Sequence, residues 1–217
     1  PSGGQKAEPL SKPPKGEIPA PAPAEEQKGW EVVFVGEAFS VYIIAQMGDS
    51  LYYIDKHAAH ERILYNQLKN SHQSNAQMLL APVTVTLSRE EYAALLPEFD
   101  TLNQAGFEVE DFGGHSVLVR ALPMIVGSED AASLIQEIAG GFATGRSEIT
   151  ANKIDWIYHS TACRAAVKAG DISKPAELQA IAEKVLLDGD IRTCPHGRPI
   201  CIEITKHELE KLFGRVK

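Results

Sequence analysis

Proline is concentrated at one end of the chain, and this distribution confines the fold to the remainder. Seven of the 13 prolines fall within the first 23 residues, among Gly, Ala, Lys and Glu. Such a segment cannot bury enough apolar surface to offset the entropy lost on ordering. We therefore predict a disordered linker over residues 1–28 and ordered structure from about Trp30. Because the chain begins with Pro rather than Met, we expect it to be a piece of a longer protein.

The first ordered block, residues 29–77, combines short apolar runs with one helix. The β-branched runs predict three strands, at residues 31–36, 40–47 and 51–54. Asp55 then opens a helix that extends to about Asn70. Residues 57, 61, 64 and 68 share one face of that helix, because their spacing follows its turn.

The second block, residues 78–150, reads as strand, helix, strand, strand, helix. Its first helix begins at a capping box of Ser88 and Glu91. Its last helix is capped by Ser128 and is predicted to stop at Gly140-Gly141. This βαββα order predicts a separate, inserted subdomain.

The third block, residues 151–217, is again mostly helical. Helices are predicted at residues 152–169 and from Ser173 as the cap. A strand with alternating isoleucines follows, and a capping box of Thr205 and Glu208 starts the last helix. The first and third blocks together predict one discontinuous subdomain, so that the whole chain is α+β with residues 78–150 inserted.

The charge balance excludes a protein that grips DNA by its own surface alone. The net charge is −8, and residues 1–28 hold four Lys and four Glu, so the acidic excess lies in the ordered part. Phosphate neutralisation by basic residues supplies most of the affinity of DNA-binding surfaces. Any action on DNA would therefore need another component to deliver the protein there.

The cysteine count and hydropathy indicate a cytoplasmic protein. Three cysteines without a CxxC pair argue against a disulfide framework and for reduced thiols, which can serve as ligands. No apolar run approaches the roughly 18 residues that a membrane span needs.

One candidate metal-binding cluster lies at the junction of the third strand and the first helix. His57 and Glu61 are one helical turn apart, so an imidazole and a carboxylate can reach one ion. Asp55 leaves the strand end at the same place. A His-x-x-x-Glu pair on a helix is common, however, and by itself it indicates only a solvated pair.

A second cluster lies in the loop Cys194–Pro199. In extended backbone, Cys194 and His196 point to the same side and form a two-point chelate. By itself this pattern is usually structural. Cys and His with a carboxylate suit zinc, whereas carboxylates alone favour Mn²⁺ or Mg²⁺, so the mixed set suggests two ions of different softness.

These clusters resemble the signatures of one protein family. Residues 55–61 resemble the DQHAxxE metal motif of nuclease-active MutL C-terminal domains, and residues 194–199 are the CPHGRP motif. Ala162-Cys163-Arg164 resembles a third signature of the family. The three occur in the family's order, and the resemblance covers roughly residues 29–217.

The resemblance implies a metal-dependent endonuclease that nicks duplex DNA in mismatch repair and dimerises. It implies that the metal ligands are Asp55, His57, Glu61, Cys163, Cys194 and His196. Asp55, His57 and Glu61 would hold the catalytic Mn²⁺ or Mg²⁺, and the other three a structural or regulatory zinc. Residues 29–77 and 151–217 would form the dimerisation subdomain and residues 78–150 a regulatory subdomain. ATP would bind only in an absent N-terminal domain, and location near the nucleoid and interaction with MutS are implied.

Two positions depart from the family pattern. Lys56 stands where the family usually has Gln, and Asn66 stands where the extended motif has Glu. Asn66 lies about 180° from His57 around the helix, so we expect no direct metal contact from it. Lys56 is expected to point sideways from His57, within reach of a phosphate, and we expect both departures to tune activity rather than remove it.

A further motif precedes the inserted block and resembles the QxLLxP element by which MutL proteins engage the replication sliding clamp. Its candidate contacts are Gln77, Leu79, Leu80 and Pro82. Extended peptides with adjacent leucines fit shallow apolar pockets. An ordinary strand that enters a core explains the residues equally well. Clamp binding would raise the effective concentration of a weak, acidic DNA binder.

A non-catalytic function uses the same residues. In that alternative the chain is a dimerisation and clamp-docking module with a structural zinc. Structural zinc sites close with four ligands and need no additional acidic groups, so the pattern favours the nuclease.

Overall fold

The structure is a computed structural model. It describes residues 31–70, 76–149, 152–166, 172–189, 191–194 and 198–216. The predicted linker, residues 1–28, lies outside this part of the chain. The boundaries of the inserted subdomain stay a prediction. The mixed α+β class is confirmed, because helices and two antiparallel sheets are both present in the described residues.

The first sheet has the strand order β1-β2-β3-β7. Three strands follow one another in the chain, as predicted, and the fourth comes from its far end. β3 and β7 pair with Ile54 opposite Cys201. Ile54 directly precedes the first candidate cluster and Cys201 closely follows the second, so the two clusters meet at one end of this strand pair. The strands are β1 (Val32–Ala38), β2 (Tyr42–Met47), β3 (Ser50–Asp55) and β7 (Cys201–Thr205).

The second sheet has the order β4-β6-β5. β4 (Ala76–Thr86) is an edge strand, and β5 (Glu108–Gly113) and β6 (Ser116–Pro123) form a hairpin. The capping box of Ser88 and Glu91 is present. The helix that it starts is interrupted by a 3₁₀ turn at Pro97, because proline cannot donate the backbone hydrogen bond of a continuous helix.

The helices flank these sheets. The predicted capping box at Thr205 is present and starts the last of them. The cap before Pro175 is Lys174 rather than the predicted Ser173, and the Lys174 amide donates to the Glu177 carboxylate. The helices are α1 (Lys56–Asn70), α2 (Arg89–Leu95), α3 (Phe99–Gln104), α4 (Ala131–Ala143), α5 (Lys153–Ala165), α6 (Pro175–Leu187) and α7 (Lys206–Leu212), and short 3₁₀ helices cover Leu96–Glu98, Ser128–Asp130 and Arg146–Ile149.

The predicted stop at Gly140-Gly141 is wrong, because α4 continues through both glycines to Ala143. The reason is tertiary. A Cβ at Gly141 would overlap the indole of Trp156 on α5, so the absence of a side chain lets the two helices approach. The Trp156 indole also donates to the Ile138 carbonyl at 3.3 Å.

α1 takes part in both hydrophobic cores. Near its start, Ala59 and Ile63 pack with the first sheet and α6. Its second half, including Leu64 and Leu68, packs with the second sheet, α4 and α5. The start of α1 is therefore held by the first sheet and α6, and the rest of the helix by the second sheet, α4 and α5.

The face of the first sheet opposite α6 is apolar and open. Ile44, Tyr53 and Ile202 are cross-strand neighbours on it, and Val33 and Val35 of β1 are about half exposed. Such a continuous apolar face is typical of a surface that another chain covers. None of the helices in the described ranges has the length and apolar character needed to span a membrane.

Candidate metal site

Asp55 caps α1 and joins the two motifs through the backbone. Its carboxylate Oδ1 accepts the Ala58 amide at 3.0 Å, which is the N-cap contact of a helix. Its own amide donates to the Ile200 carbonyl at 2.9 Å. Since one carboxylate oxygen caps the helix, the other keeps its acceptor capacity for a ligand.

The ligand atoms of three predicted residues converge between two helices. His57 and Glu61 lie on α1, with His57 Nε2 and Glu61 Oε2 3.8 Å apart, and Cys163 lies on α5. Their ligand atoms all lie within 4.8 Å of one another. The family resemblance groups Cys163 with Cys194 and His196. In the described residues its ligand atom lies beside those of His57 and Glu61.

This donor set fits a transition-metal cation. Thiolate, imidazole and carboxylate bind zinc at about 2.0–2.3 Å, which separates tetrahedral ligands by about 3.5 Å. The ligand atoms of His57, Glu61 and Cys163, which are at most 4.8 Å apart, would move only slightly closer to reach that separation. Glu61 is buried, while the His57 side chain is 37% exposed and Cys163 is exposed, so the group opens to solvent on one side.

The second motif is anchored next to the first. Cys194 is buried in the core that contains Ala59 and Ile200. The Arg198 amide donates to Cys194 Sγ at 3.3 Å, and the Cys194 amide donates to the Arg198 carbonyl at 2.8 Å. Asp55 and Cys194 are outside the convergent group of three that the described residues form. His196 lies outside the described residues, so its role as a metal ligand stays a prediction.

A family comparison agrees with the motifs. The family described as MutL C terminal dimerisation domain matches residues 35–173. The chain belongs to this family.

Relatives named DNA mismatch repair protein MutL cover most of the chain. The protein from Heliobacterium modesticaldum is 37% identical over 193 residues, which are 85% of this chain and 29% of the relative. That from Caldanaerobacter subterraneus subsp. tengcongensis is 34% identical over 214 residues, 97% of this chain and 36% of the relative. That from Bartonella bacilliformis is 38% identical over 180 residues, 80% and 29% respectively. The chain thus spans about a third of the length of these MutL relatives.

Lys56, which departs from the MutL motif, does not reach outward. Its side chain is fully buried, and Nζ lies 2.7 Å from Glu37 Oε1 on β1. The expected phosphate contact is therefore wrong. The first turn of α1 lies against the first sheet, and an ammonium group buried there needs a charged partner.

Arg164 and Cys201 have structural contacts. Arg164 forms an ion pair with Glu137 of α4 at 2.7 Å. Cys201 packs toward the core, while its neighbour Ile202 faces outward. Burial raises the pKa of the Cys201 thiol to about 11. Burial lowers the pKa of His60, and the nearby His57 lowers it further.

Sequence reasoning missed the contacts between α1 and α5 beyond the metal-binding group. The ring of His159 stacks on Tyr65, with centroids 4.5 Å apart and an interplanar angle of 24°. The Tyr65 hydroxyl donates to Asp155 Oδ1 at 3.0 Å. The spacing of these residues at intervals of one turn was visible in the sequence, but which helix faces α1 was not.

Proposed function

We propose that this domain is a metal-dependent endonuclease that nicks one strand of duplex DNA during mismatch repair. The observation that carries the proposal is the convergence of His57, Glu61 and Cys163 from two helices. Each lies in a signature that resembles nuclease-active MutL proteins. A bound cation would supply the Lewis-acid charge for attack of water on phosphorus, with rupture of one P–O bond of the backbone.

Different residues of the chain would bind the catalytic cation and the zinc. His57 and Glu61 hold the catalytic cation, and the second oxygen of Asp55 completes the carboxylate set that Mn²⁺ or Mg²⁺ prefers. Cys194, His196 and Cys163 hold a zinc. Because Cys163 lies with His57 and Glu61, the two ions would be neighbours rather than separate sites. The open side of the group leaves room for a phosphate.

The alternative, a non-catalytic module with a structural zinc, fits the geometry less well. Structural zinc sites are closed by four protein ligands, whereas catalytic sites keep one position open. In the described residues, His57 and Cys163 both face solvent. A closed site of this kind needs no additional carboxylate ligand such as Asp55.

The variant Asp55→Asn distinguishes the proposed endonuclease from the non-catalytic module. Asn caps helices as well as Asp does, so α1 and the fold should be retained while the carboxylate is lost. We expect manganese-dependent nicking of supercoiled plasmid to be abolished, with an unchanged melting temperature. Asp100→Asn, an exposed change on α3, is the matched control and should nick normally. Normal nicking by Asp55→Asn would refute the proposal, and a wild-type protein that only unfolds on zinc removal would favour the alternative.

We propose that the domain dimerises through the open face of the first sheet. Val33, Val35, Tyr42 and Ile202 supply exposed apolar surface on it or beside it. An interface of this composition resembles a core cut in half, as in permanent dimers. A dimer would place two metal sites on one assembly.

We further propose that residues 77–82 bind the replication sliding clamp. Between Met78 and Val83 the register of β4 against β6 shifts, and Leu80 is fully exposed at this bulge. Leu79 instead packs against the core. Because β4 is an edge strand, the bulge is accessible to a partner. Clamp docking would compensate for the acidic surface by concentrating the domain on DNA.

A further inference from the structure

α1 and α5 meet along a ladder of side chains spaced one turn apart. On α1 the spacing joins His57, Glu61 and Tyr65, and on α5 it joins Asp155, His159 and Cys163. Cys163 meets His57 and Glu61, the next step is the stack of His159 on Tyr65, and the last is the hydrogen bond of Tyr65 to Asp155. The metal-binding group is thus one end of a continuous contact.

The far end of the ladder is fixed by directional contacts. Tyr65 and Asp155 are both buried. Lys69 Nζ donates to the Tyr65 oxygen at 3.2 Å and lies 3.6 Å from the Asp155 carboxylate. The Asp155 amide donates to the Asn152 side chain that caps α5. Hydrogen bonds and ring stacks fix position and angle, whereas apolar contacts such as those of Leu64 and Leu68 are non-directional.

We propose that Tyr65, with His159 and Asp155, positions α1 against α5 and thereby sets the separation of the metal ligands. The inference rests on the proposed metal site and adds residues that do not touch the ion. The ligands come from two helices, so a slide or rotation of α5 moves Cys163 away from His57 and Glu61. Tyr65 lies one turn, about 6 Å along the axis, beyond Glu61 and is placed to prevent that movement.

Cobalt(II) is the probe, because a thiolate ligand to cobalt has a charge-transfer absorption that reports the bond directly. Tyr65→Phe keeps the ring on His159 and removes the hydroxyl, whereas Tyr65→Leu removes both. We expect Co²⁺ to bind about tenfold more weakly to the leucine variant and severalfold more weakly to the phenylalanine variant, as for other residues that orient metal ligands. The absorption per bound cobalt should fall in the same order.

Tyr92→Phe is the matched control. Tyr92 also donates its hydroxyl to an aspartate, Asp111 at 2.6 Å, but in the second sheet region away from the ligands. It should leave Co²⁺ affinity and the absorption unchanged. A purely structural role of Tyr65 would lower the melting temperature without changing either property, and that result would overturn the inference.

Ligand variants distinguish failure of the inference from failure of the proposed function. Cys163→Ser should lower the charge-transfer absorption, leaving only the contribution of Cys194, and His57→Ala should remove most of the affinity. If they bind cobalt as the wild type does, the proposed metal site is wrong. If they lose binding while both Tyr65 variants bind normally, only the positioning role is wrong. If Tyr65→Leu fails to fold, the Co²⁺ affinity and absorption of Tyr65→Phe, which retains the buried ring, test the positioning role.

Discussion

The fully buried ammonium group of Lys56 lies 2.7 Å from Glu37 Oε1 and ties the first turn of α1 to the edge strand of the first sheet. The Lys56 amide also donates to the Val41 carbonyl at 3.0 Å. The helix that bears His57 and Glu61 is therefore anchored to the sheet by main chain and side chain. A neutral Gln, usual at this position in the MutL motif, would need no acidic partner on β1.

Removal of Glu37 should therefore be costly. In Glu37→Ala a buried ammonium group loses its partner, and we expect the free energy of unfolding in urea to fall by about 3 kcal/mol. The double variant Lys56→Met, Glu37→Leu should recover most of it, because an apolar pair needs no desolvated charge. Arg120→Ala, which breaks the exposed pair with Glu110, is the control and should not change the urea midpoint. Equal effects of the two single variants would contradict the assignment.

Local patterns predicted most elements but not their partners. The capping boxes at Ser88 and Thr205 were predicted because cap and helix lie within four residues of one another. Lys56 could not be placed, since its partner Glu37 lies on another strand. The approach of Cys163 to His57 and Glu61 was missed for the same reason, because the sequence does not state which helices face each other. Only the tertiary fold pairs α1 with α5.

The adjacent glycines of α4 provide a test of helix contact. Gly141→Ala places a methyl group against the Trp156 indole, and we expect a loss of about 2 kcal/mol in unfolding free energy. Gly140→Ala meets only the Glu91 carboxylate, at 3.5 Å, and should stabilise the protein by up to about 1 kcal/mol, because alanine is the better helix former. Both are measured by urea unfolding. Two variants of equal stability would show that α4 and α5 do not approach as closely as described.

The proposed dimer face can be tested with two equally exposed residues. Ile202 on β7 and Phe112 on β5 are both 61% exposed, but only Ile202 lies on the open face of the first sheet. Ile202→Asp should convert the dimer to a monomer in sedimentation velocity, because a carboxylate cannot be buried there without a partner. Phe112→Asp should sediment as the wild type does. A dimer that survives Ile202→Asp and dissociates with Phe112→Asp would place the interface on the other sheet.

Alkaline pH should destabilise the domain through Cys201. Burial, with a smaller effect of Glu203, raises the pKa of this thiol from 9.0 to about 11. Below pH 9 the thiol is protonated in both states, and between pH 9 and 11 only the unfolded chain releases the proton, so stability falls as pH rises. Cys201→Ala should make this fall shallower in urea titrations. Tyr52→Phe is the control and should leave the slope unchanged below pH 10, because burial raises the pKa of Tyr52 to about 12.

Variants in the bulge of β4 distinguish a clamp-binding function of residues 77–82 from a purely structural one. Leu80 is fully exposed, so Leu80→Ala should leave the unfolding free energy unchanged but weaken binding to the purified sliding clamp about tenfold, as truncation of an apolar anchor does. Leu79→Ala should lower stability, because Leu79 packs against the core. Met124→Ala, an exposed apolar change outside the motif, is the binding control. If Leu80→Ala binds the clamp normally, residues 77–82 serve only as a strand of the second sheet, and the domain needs another route to DNA.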